Sequence, residues 1–461
     1  MKYNFTILSL LLLFVLQTAK AQRVEQSIPE KTRILFLFDA SGSMLAPWGN
    51  ELRIDAAKRV LTNLVDSLRV NNKIELALRP YGHLTPAKER NCQDSKLEIP
   101  FAANNNDRII ERLKYIYPKG TTPIAYSLEQ SAKDFPRDKN YRNIIIIITD
   151  GIESCDGDPC AVSLELQKKD IFLRPFVIGL GMKKEFAKEF ECMGEYYNAK
   201  NINAFQTVLN GILSQSLSKT TASIELLDQN NRPIETDVNV SFINTFTNIA
   251  EFDFIHFRDQ NGKPDTVEVD PVLSYDVVVN TVPPVVKRNV YLRGGTHNVI
   301  KIKSPQGKLK ISQDNTSEYD KDVQVLVKKS SKTEIINTQS MRSEEKYLIG
   351  SYDLEILTLP RIEINNIEIR QGKTRTIDIP APGRVNISYS SKGKGSLYAV
   401  DENGRQKWIK KLDLRGERSS FGIQPGRYKY VFRSDLAMGS KYTQIKEFTI
   451  QSGQTLNIKI Y

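Results

Sequence analysis

At 461 residues the chain is too long for one hydrophobic core, and two to four domains are expected. The formal charge of +11 falls to +9 once a short leader is set aside. Lys and Arg read as spread along the chain without a nucleic-acid fold signature, so the excess implies solubility and at most an anionic surface partner. Three scattered histidines, His83, His256 and His297, give no zinc spacing, and no G-x-S-x-G, H-E-x-x-H or phosphate loop occurs. An enzyme is therefore the least favoured class.

The chain opens with Lys2, an apolar run from Phe5 to Leu16, and Ala19-Lys20-Ala21. A basic start, an apolar stretch short for a bilayer span and a small-x-small site describe an export signal, residues 1–21, cleaved after Ala21. An uncleaved anchor is the alternative. No Cys stands at the junction, so a lipid anchor is not indicated, and no later segment is apolar and long enough to cross a membrane. Four cysteines in an exported chain are expected to be oxidised, with three possible connectivities. Cys155 and Cys160 are near enough to clasp one loop, which would leave Cys92 with Cys192.

Residues 31–217 then alternate strand and helix patterns. An apolar run over Arg33–Phe38 ends at Asp39, and Ile54, Ala57, Leu61, Leu64 and Leu68 recur at helical spacing. A strand is predicted over Ile74–Tyr81 and a helix over Asp107–Leu113. A further helix is predicted over Thr122–Lys133, with Pro123 in its first turn. The β-branched run Ile144–Ile148 fits a central parallel strand buried on both faces. A helix over Ala161–Lys168, a strand over Ile171–Ile178 and a helix over Ala204–Leu217 complete a doubly wound, mostly parallel α/β sheet.

After about Ser218 helical periodicity stops and short alternating strands take over, separated by Gly, Pro, Asn and Asp. Similar segments begin at Tyr275, Tyr352 and Tyr428, with offsets of 77 and 76 residues. Three tandem β-sandwich modules are expected, at 220–305, 306–382 and 383–461, the alternative being one large irregular β domain. The recurring tyrosines read as core or corner residues.

The chemistry lies in three segments of the α/β region. The first strand ends in Asp39-Ala40-Ser41-Gly42-Ser43, the loop Gly120-Thr121-Thr122-Pro123 precedes a helix, and Thr149-Asp150-Gly151 ends the buried strand. In a doubly wound sheet all three lie at the carboxyl edge, where ligands bind. Two carboxylates and several hydroxyls form an all-oxygen set suited to a hard divalent cation. Neutral hydroxyls leave such an ion electrophilic toward an outside ligand.

This pattern resembles the von Willebrand factor A family over roughly residues 31–216. The resemblance implies a metal-ion-dependent adhesion site with Ser41, Ser43 and Thr122 as direct ligands and Asp39 and Asp150 acting directly or through water. The ion would be Mg²⁺ first, with Mn²⁺ or Ca²⁺ as alternatives, and the partner a protein offering an acidic side chain. "YGH" at Tyr81–His83, "NCQD" at Asn91–Asp94 and "DGIESCDGDPC" at Asp150–Cys160 are similar to a bacterial branch of the family, and with the leader they point to a Gram-negative source. Glu153, Asp156 and Asp158 invite a second cation site but lack calcium-loop spacing, and a disulfide-clasped surface loop is the favoured reading. His83 reads as a strand-end histidine with a backbone partner, or as a group orienting the metal edge.

The implied function is a non-enzymatic, exported binding or adhesion protein in a periplasm, on a surface or released. The alternative is a structural or envelope-assembly protein in which the β repeats are the working part and the head is a scaffold.

Overall fold

The computed structural model describes residues 28–313, 319, 322–414 and 418–460. The predicted leader lies outside the described residues.

The first region is an α/β domain. The strands of its main sheet are β1 (Lys31–Asp39), β2 (Ile74–Tyr81), β3 (Ile99–Ala102), β4 (Tyr141–Thr149), β5 (Phe176–Leu180) and β6 (Glu195–Ala199). Its helices are α1 (Arg53–Ser67), α2 (Asn106–Lys114), α3 (Ile124–Asp134), α4 (Pro159–Lys168), α5 (Ala187–Glu191) and α6 (Ile202–Leu217). The six strands lie in the order β3-β2-β1-β4-β5-β6, and only β3 runs antiparallel to its neighbour.

The sheet grows outward in both directions from β1 and β4. Their carboxyl ends therefore mark the switch point where a doubly wound sheet opens a crevice. Successive side chains of β1 and β4 enter two different cores. Ile34, Phe36, Phe38, Ile144, Ile146 and Ile148 meet α1 and α6 on one face. Leu35, Leu37, Ile145 and Ile147 meet α3 and its neighbours on the other. Burial on both faces is why these strands read as continuous apolar runs.

Local differences from the sequence expectation have plain causes. The helix predicted from Thr122 starts at Ile124, because Thr122 and Pro123 form the connection that reaches the site. The strand predicted from Ile171 starts at Phe176, just after Pro175, which has no N–H to give a ladder. Strands β3 and β6 and helix α5 were not anticipated; each is four or five residues long and carries little periodic signal.

Beyond the head, the described residues form three seven-stranded β-sandwiches of one topology. In each, the third, second, fifth and sixth strands form one sheet, and the first strand lies between the fourth and seventh in the other. The first and seventh strands are parallel each time. Each sandwich closes on its own core. Tyr275, Tyr352 and Tyr428 are buried on the fifth strand, and each phenol donates to a backbone carbonyl just upstream. The acceptors are Asp270 O at 2.9 Å, Leu348 O at 2.7 Å and Gln424 O at 2.7 Å. This tyrosine corner pins the turn that leads into the strand.

The same corner makes the joints. The turn after the fifth strand of the first sandwich packs Val282 against the second core, and Leu348 N donates to Val282 O at 2.8 Å. One repeat later, Leu359 packs against the third core and Gln424 N donates to Leu359 O at 2.7 Å. The corner of the first sandwich is taken by the head. Arg142 on β4 holds Asp270 through Nη2–Oδ1 at 2.6 Å and Nε–Oδ2 at 2.9 Å, with Nη1 on Ser216 O, and Val272 enters a head core.

One expectation about charge is corrected here. The basic excess is not spread evenly: residues 383–461 hold 15 Lys and Arg against 6 Asp and Glu, a net +9, whereas 220–305 is −3 and 306–382 is neutral. Strand alternation separates residues that share a face, so this excess forms no long contiguous basic run.

Candidate functional site

The carboxyl edge is assembled from backbone outward. Asp39, the last residue of β1, is fully buried and accepts Ser41 N on Oδ1 at 2.8 Å, an Asx bend that turns the chain out of the strand. A short 3₁₀ turn, Gly42–Leu45, follows, with Met44 N on Ser41 O and Ala46 N on Ser43 O. The bend and turn bring Ser41 Oγ and Ser43 Oγ within 3.0 Å of each other. Ser43 Oγ donates to Asp150 Oδ1 at 2.7 Å, joining the first segment to the end of β4.

Three loops meet at this edge closely enough to require glycine. Gly42 N donates to Gly120 O, Lys119 N to Ala40 O, and Gly120 N to Gly82 O. Gly82 has φ +69°, and a Cβ there would sit 2.5 Å from Thr121 O and 2.9 Å from Ser41 N. Any side chain would push the Thr121–Thr122 loop away from the Ser41 loop. Asp94 fixes the third loop from beneath: fully buried, it accepts the N–H groups of His83, Leu84 and Thr85 and the Thr85 hydroxyl.

Thr122 is held on both sides. Its N donates to Ser154 Oγ at 2.7 Å, and its O accepts Ser154 N at 3.2 Å. A Cβ on Gly151 would lie 3.8 Å from Ser43 Oγ and 3.9 Å from Thr122 Oγ1, so the two hydroxyls face one small space over Gly151. The structure thus brings Asp39, Ser41, Ser43 and Asp150 into one hydrogen-bonded chain and turns Thr122 toward it.

The electrostatics are those of an underfilled acidic pocket. Burial pushes the Asp39 carboxyl up to about 6, and the charge of Asp150 pushes the same way; hydrogen bonds from Ser41 and Thr149 only partly offset this. Thr149 Oγ1 donates to Asp39 Oδ2 at 2.7 Å. Arg53, the first residue of α1, reaches Asp150 Oδ2 through Nη1 at 2.6 Å. Burial also raises the Tyr81 phenol well above its ordinary range, and Asp39 adds to this.

Sequence reasoning did not anticipate the roles of Arg53, Thr149, Tyr81 and Ser154. Arg53 did carry a signal. A cation at the first position of a helix opposes the helix dipole, which calls for a nearby acid.

A divalent cation fits this donor set. The set is all oxygen, the hydroxyls converge over Gly151, and of the two buried carboxylates Asp150 has the Arg53 guanidinium while Asp39 is held by neutral donors, so added positive charge would relieve the strain on Asp39. Among the described residues no group of three or more His, Cys, Asp or Glu is placed to hold a metal. A cation at this edge would therefore depend on the hydroxyls.

The disulfide expectation is corrected. Cys92 bonds Cys155, with Cα atoms 5.8 Å apart, and Cys160 bonds Cys192 at 5.4 Å; neither Cys155–Cys160 nor Cys92–Cys192 forms. The reason is the start of α4. Asp158 caps it, accepting Cys160 N and Ala161 N, which places Cys160 in the first helical turn while Cys155 stays in the loop before it. Cys92–Cys155 ties the loop carrying Asp94 to the loop after Asp150. Glu153 is also accounted for: Oε2 accepts Ala125 N at the start of α3 and Oε1 accepts Cys155 N. With Asp158 a helix cap, these acids order the loop.

His83 is buried with Nε2 3.1 Å from Glu98 Oε1, a side-chain partner rather than the expected backbone one, and burial lowers its pKa despite Glu98. His256 Nε2 lies 2.8 Å from Ile224 O, and His297 sits between the hydroxyls of Thr221 and Ser223.

A doubly wound sheet with this edge defines a von Willebrand factor A type domain, and the family model described as the von Willebrand factor type A domain matches residues 34–211. The chain belongs to this family. It is 30% identical over 188 residues to the uncharacterized protein YwmD of Bacillus subtilis (strain 168), covering 38% of this chain and 82% of that protein. It is 26% identical over 210 residues to YwmC of the same organism, covering 43% and 92%. Among solved structures it is similar to BatB, a conserved hypothetical protein from Bacteroides thetaiotaomicron. The two are 19% identical, with a TM-score of 0.34, over 40% of this chain and 98% of that one.

Proposed function

We propose that the chain is an exported, non-enzymatic adhesion or capture protein whose head binds an acidic group of a protein partner through a divalent cation. Asp39, Ser41, Ser43, Thr122 and Asp150 would hold the ion, Mg²⁺ in the first instance. The ion supplies an electrophilic position that a partner carboxylate can enter in place of water. The chain's own residues do the rest. Thr149 and Ser41 N orient the Asp39 carboxylate, Ser154 and Gly82 fix the Thr122 loop, and the Cys92–Cys155 bridge keeps the edge closed around it.

The observation that carries this reading is the joining of Asp39, Ser41, Ser43 and Asp150 in one hydrogen-bonded chain beneath the Thr122 hydroxyl. The head, 31–217, would be carried on the modules 220–305, 306–382 and 383–461, whose joints hold it at a set distance from whatever anchors the far end. Two disulfides agree with an oxidising compartment. Among the described residues no helix is long and apolar enough to cross a membrane.

The test is capture of surface proteins from the source cell on the immobilised full chain, in Mg²⁺ and in chelator, beside Asp39→Ala. A protein retained only in Mg²⁺ and released by the substitution is the expected result. Retention that chelator and substitution leave unchanged would overturn the proposal.

A further inference from the structure

We infer that the outer end of the third sandwich binds an anionic lipid surface, with Leu436 and Met438 entering the headgroup layer inside a collar of Lys and Arg.

The first observation is what became of a repeated turn. After the fifth strand, sandwich one buries Val282 and sandwich two buries Leu359 in the next core. The third sandwich has a longer turn at this place, between the strands Gly426–Ser434 and Gln444–Ile450. Leu436 there is 85% exposed and Met438 93% exposed. Two large apolar side chains so open, at one loop tip, are costly in water and typical of a surface that meets another phase.

The second observation is charge. The net +9 of residues 383–461 stands beside −3 and zero in the preceding modules, although the three share one topology. The register puts Lys394, Lys411, Arg427, Lys429 and Arg433 on one face of the four-stranded sheet. Leu397, Tyr430 and Phe432 point to the core, so the alternate positions point outward. Opposite pairs on that face are Lys394 with Arg433, Ser396 with Lys411, and Tyr398 with Lys429. Lys394 and Arg433 lie at the end of the sheet from which the apolar loop emerges. Asp435 N donates to Lys392 O at 2.9 Å, which brings Lys392 beside the tip, and Lys441 ends the loop. Trp408, opposite Tyr398, and Ile445, opposite Val431, are also exposed. The acids nearby are Asp413, opposite Lys394, Glu447, opposite Lys429 and 3.7 Å from Arg427, and Asp435 at the start of the loop.

The pairing of an apolar tip with a basic collar selects the partner. A polysaccharide or nucleic acid could use the Lys and Arg rows and Trp408, but would have no use for Leu436 and Met438. Another sandwich module could cover the tip, as happens at Val282, but the two joints present do not need such a charge excess. An anionic bilayer uses both features at once: acidic headgroups face the collar while the tip reaches the acyl boundary.

The test is vesicle flotation of the full chain, with phosphatidylcholine alone and mixed with phosphatidylglycerol, at low and high salt. The expected result is flotation with the mixed vesicles only, weakened by salt. Lys394→Glu with Arg433→Glu and Lys441→Glu should weaken it by about a hundredfold or more, each charge counting about fivefold. Leu436→Ser with Met438→Ser should weaken it by roughly tenfold and leave the remainder more salt-sensitive. All these positions lie outside the core, and circular dichroism checks that each variant folds. No flotation with mixed vesicles would overturn the inference, as would equal flotation with neutral ones. So would serine variants that float like the wild type while the chain binds heparin or DNA. Concentration-dependent self-association lost in the serine variants, without flotation, would assign the tip to a protein contact instead.

Discussion

The head sets an acid against an arginine at each end of its sheet, and the two pairs behave differently. At the amino edge, Arg142 gives two nitrogens to Asp270 and a third to Ser216 O, and the side chains are 8% and 9% exposed. At the carboxyl edge, Arg53 gives one nitrogen to Asp150, its Nε has no hydrogen-bond partner among the described residues, and its side chain is 22% exposed beside a fully buried carboxylate. The first pair is complete and locks the head to the next module. The second is partly satisfied, in a pocket where Asp39 is already pushed toward protonation. Closed pairs hold domains together; open ones leave room for a ligand to finish the coordination.

The largest effect should come from breaking the closed pair. Arg142→Met leaves Asp270 buried and uncompensated and should cost about 3–5 kcal/mol, read by urea unfolding, with much of the loss recovered in Arg142→Met/Asp270→Leu. A loss near zero would mean the joint is not locked by this pair. Next comes Gly82→Ala, which meets both a positive φ and the Thr121 carbonyl; about 1–3 kcal/mol is expected, with weaker metal binding.

Arg53→Met should cost less than Arg142→Met, on the order of 1 kcal/mol in the metal-free protein. A saturating divalent cation should offset that loss, because it supplies the charge that Arg53 supplied. If Mg²⁺ leaves the gap between wild type and variant unchanged in thermal melts, the open pair is merely structural.

The smallest effect sharpens the comparison at another joint. Asp228 accepts Gln371 Nε2 from the second sandwich at 3.0 Å. Burial opposes its charge, but the N–H groups of Arg232 and Asn230, the Gln371 amide and the Arg232 guanidinium outweigh burial and hold its carboxyl at about 2. A carboxyl lowered on folding contributes stability that is present above the ordinary carboxylate range and is lost as pH falls through about 2. Carboxyl NMR should find that low midpoint; a midpoint near the ordinary range would show that the joint does not hold Asp228.

Much of the head was legible because its signals are periodic or punctuated. The apolar runs of β1 and β4 and the helical stripe of α1 needed only spacing; Asp39, Ser41, Ser43 and Asp150 stand where strands end, and Thr122 stands just before a helix. What was hidden depends on loops meeting in space. The partners of Cys155 and Cys160 follow from where α4 begins, and the approach of Arg53 to Asp150 follows from how α1 packs. The sandwich repeat was visible through its tyrosines, but the basic face of the third copy was not. Its residues are spaced by strand alternation and gather only through pairing.

The central claim is that the carboxyl edge binds a divalent cation through hydroxyls and two carboxylates. Calorimetric titration of Mg²⁺ and Mn²⁺ into the metal-stripped full chain, beside Asp39→Ala and Thr122→Ala, tests it most directly. Saturable binding by the wild type, lost or strongly weakened in both folded variants, is the result predicted. Absence of saturable binding by the folded wild type, or binding that neither substitution changes, would contradict it.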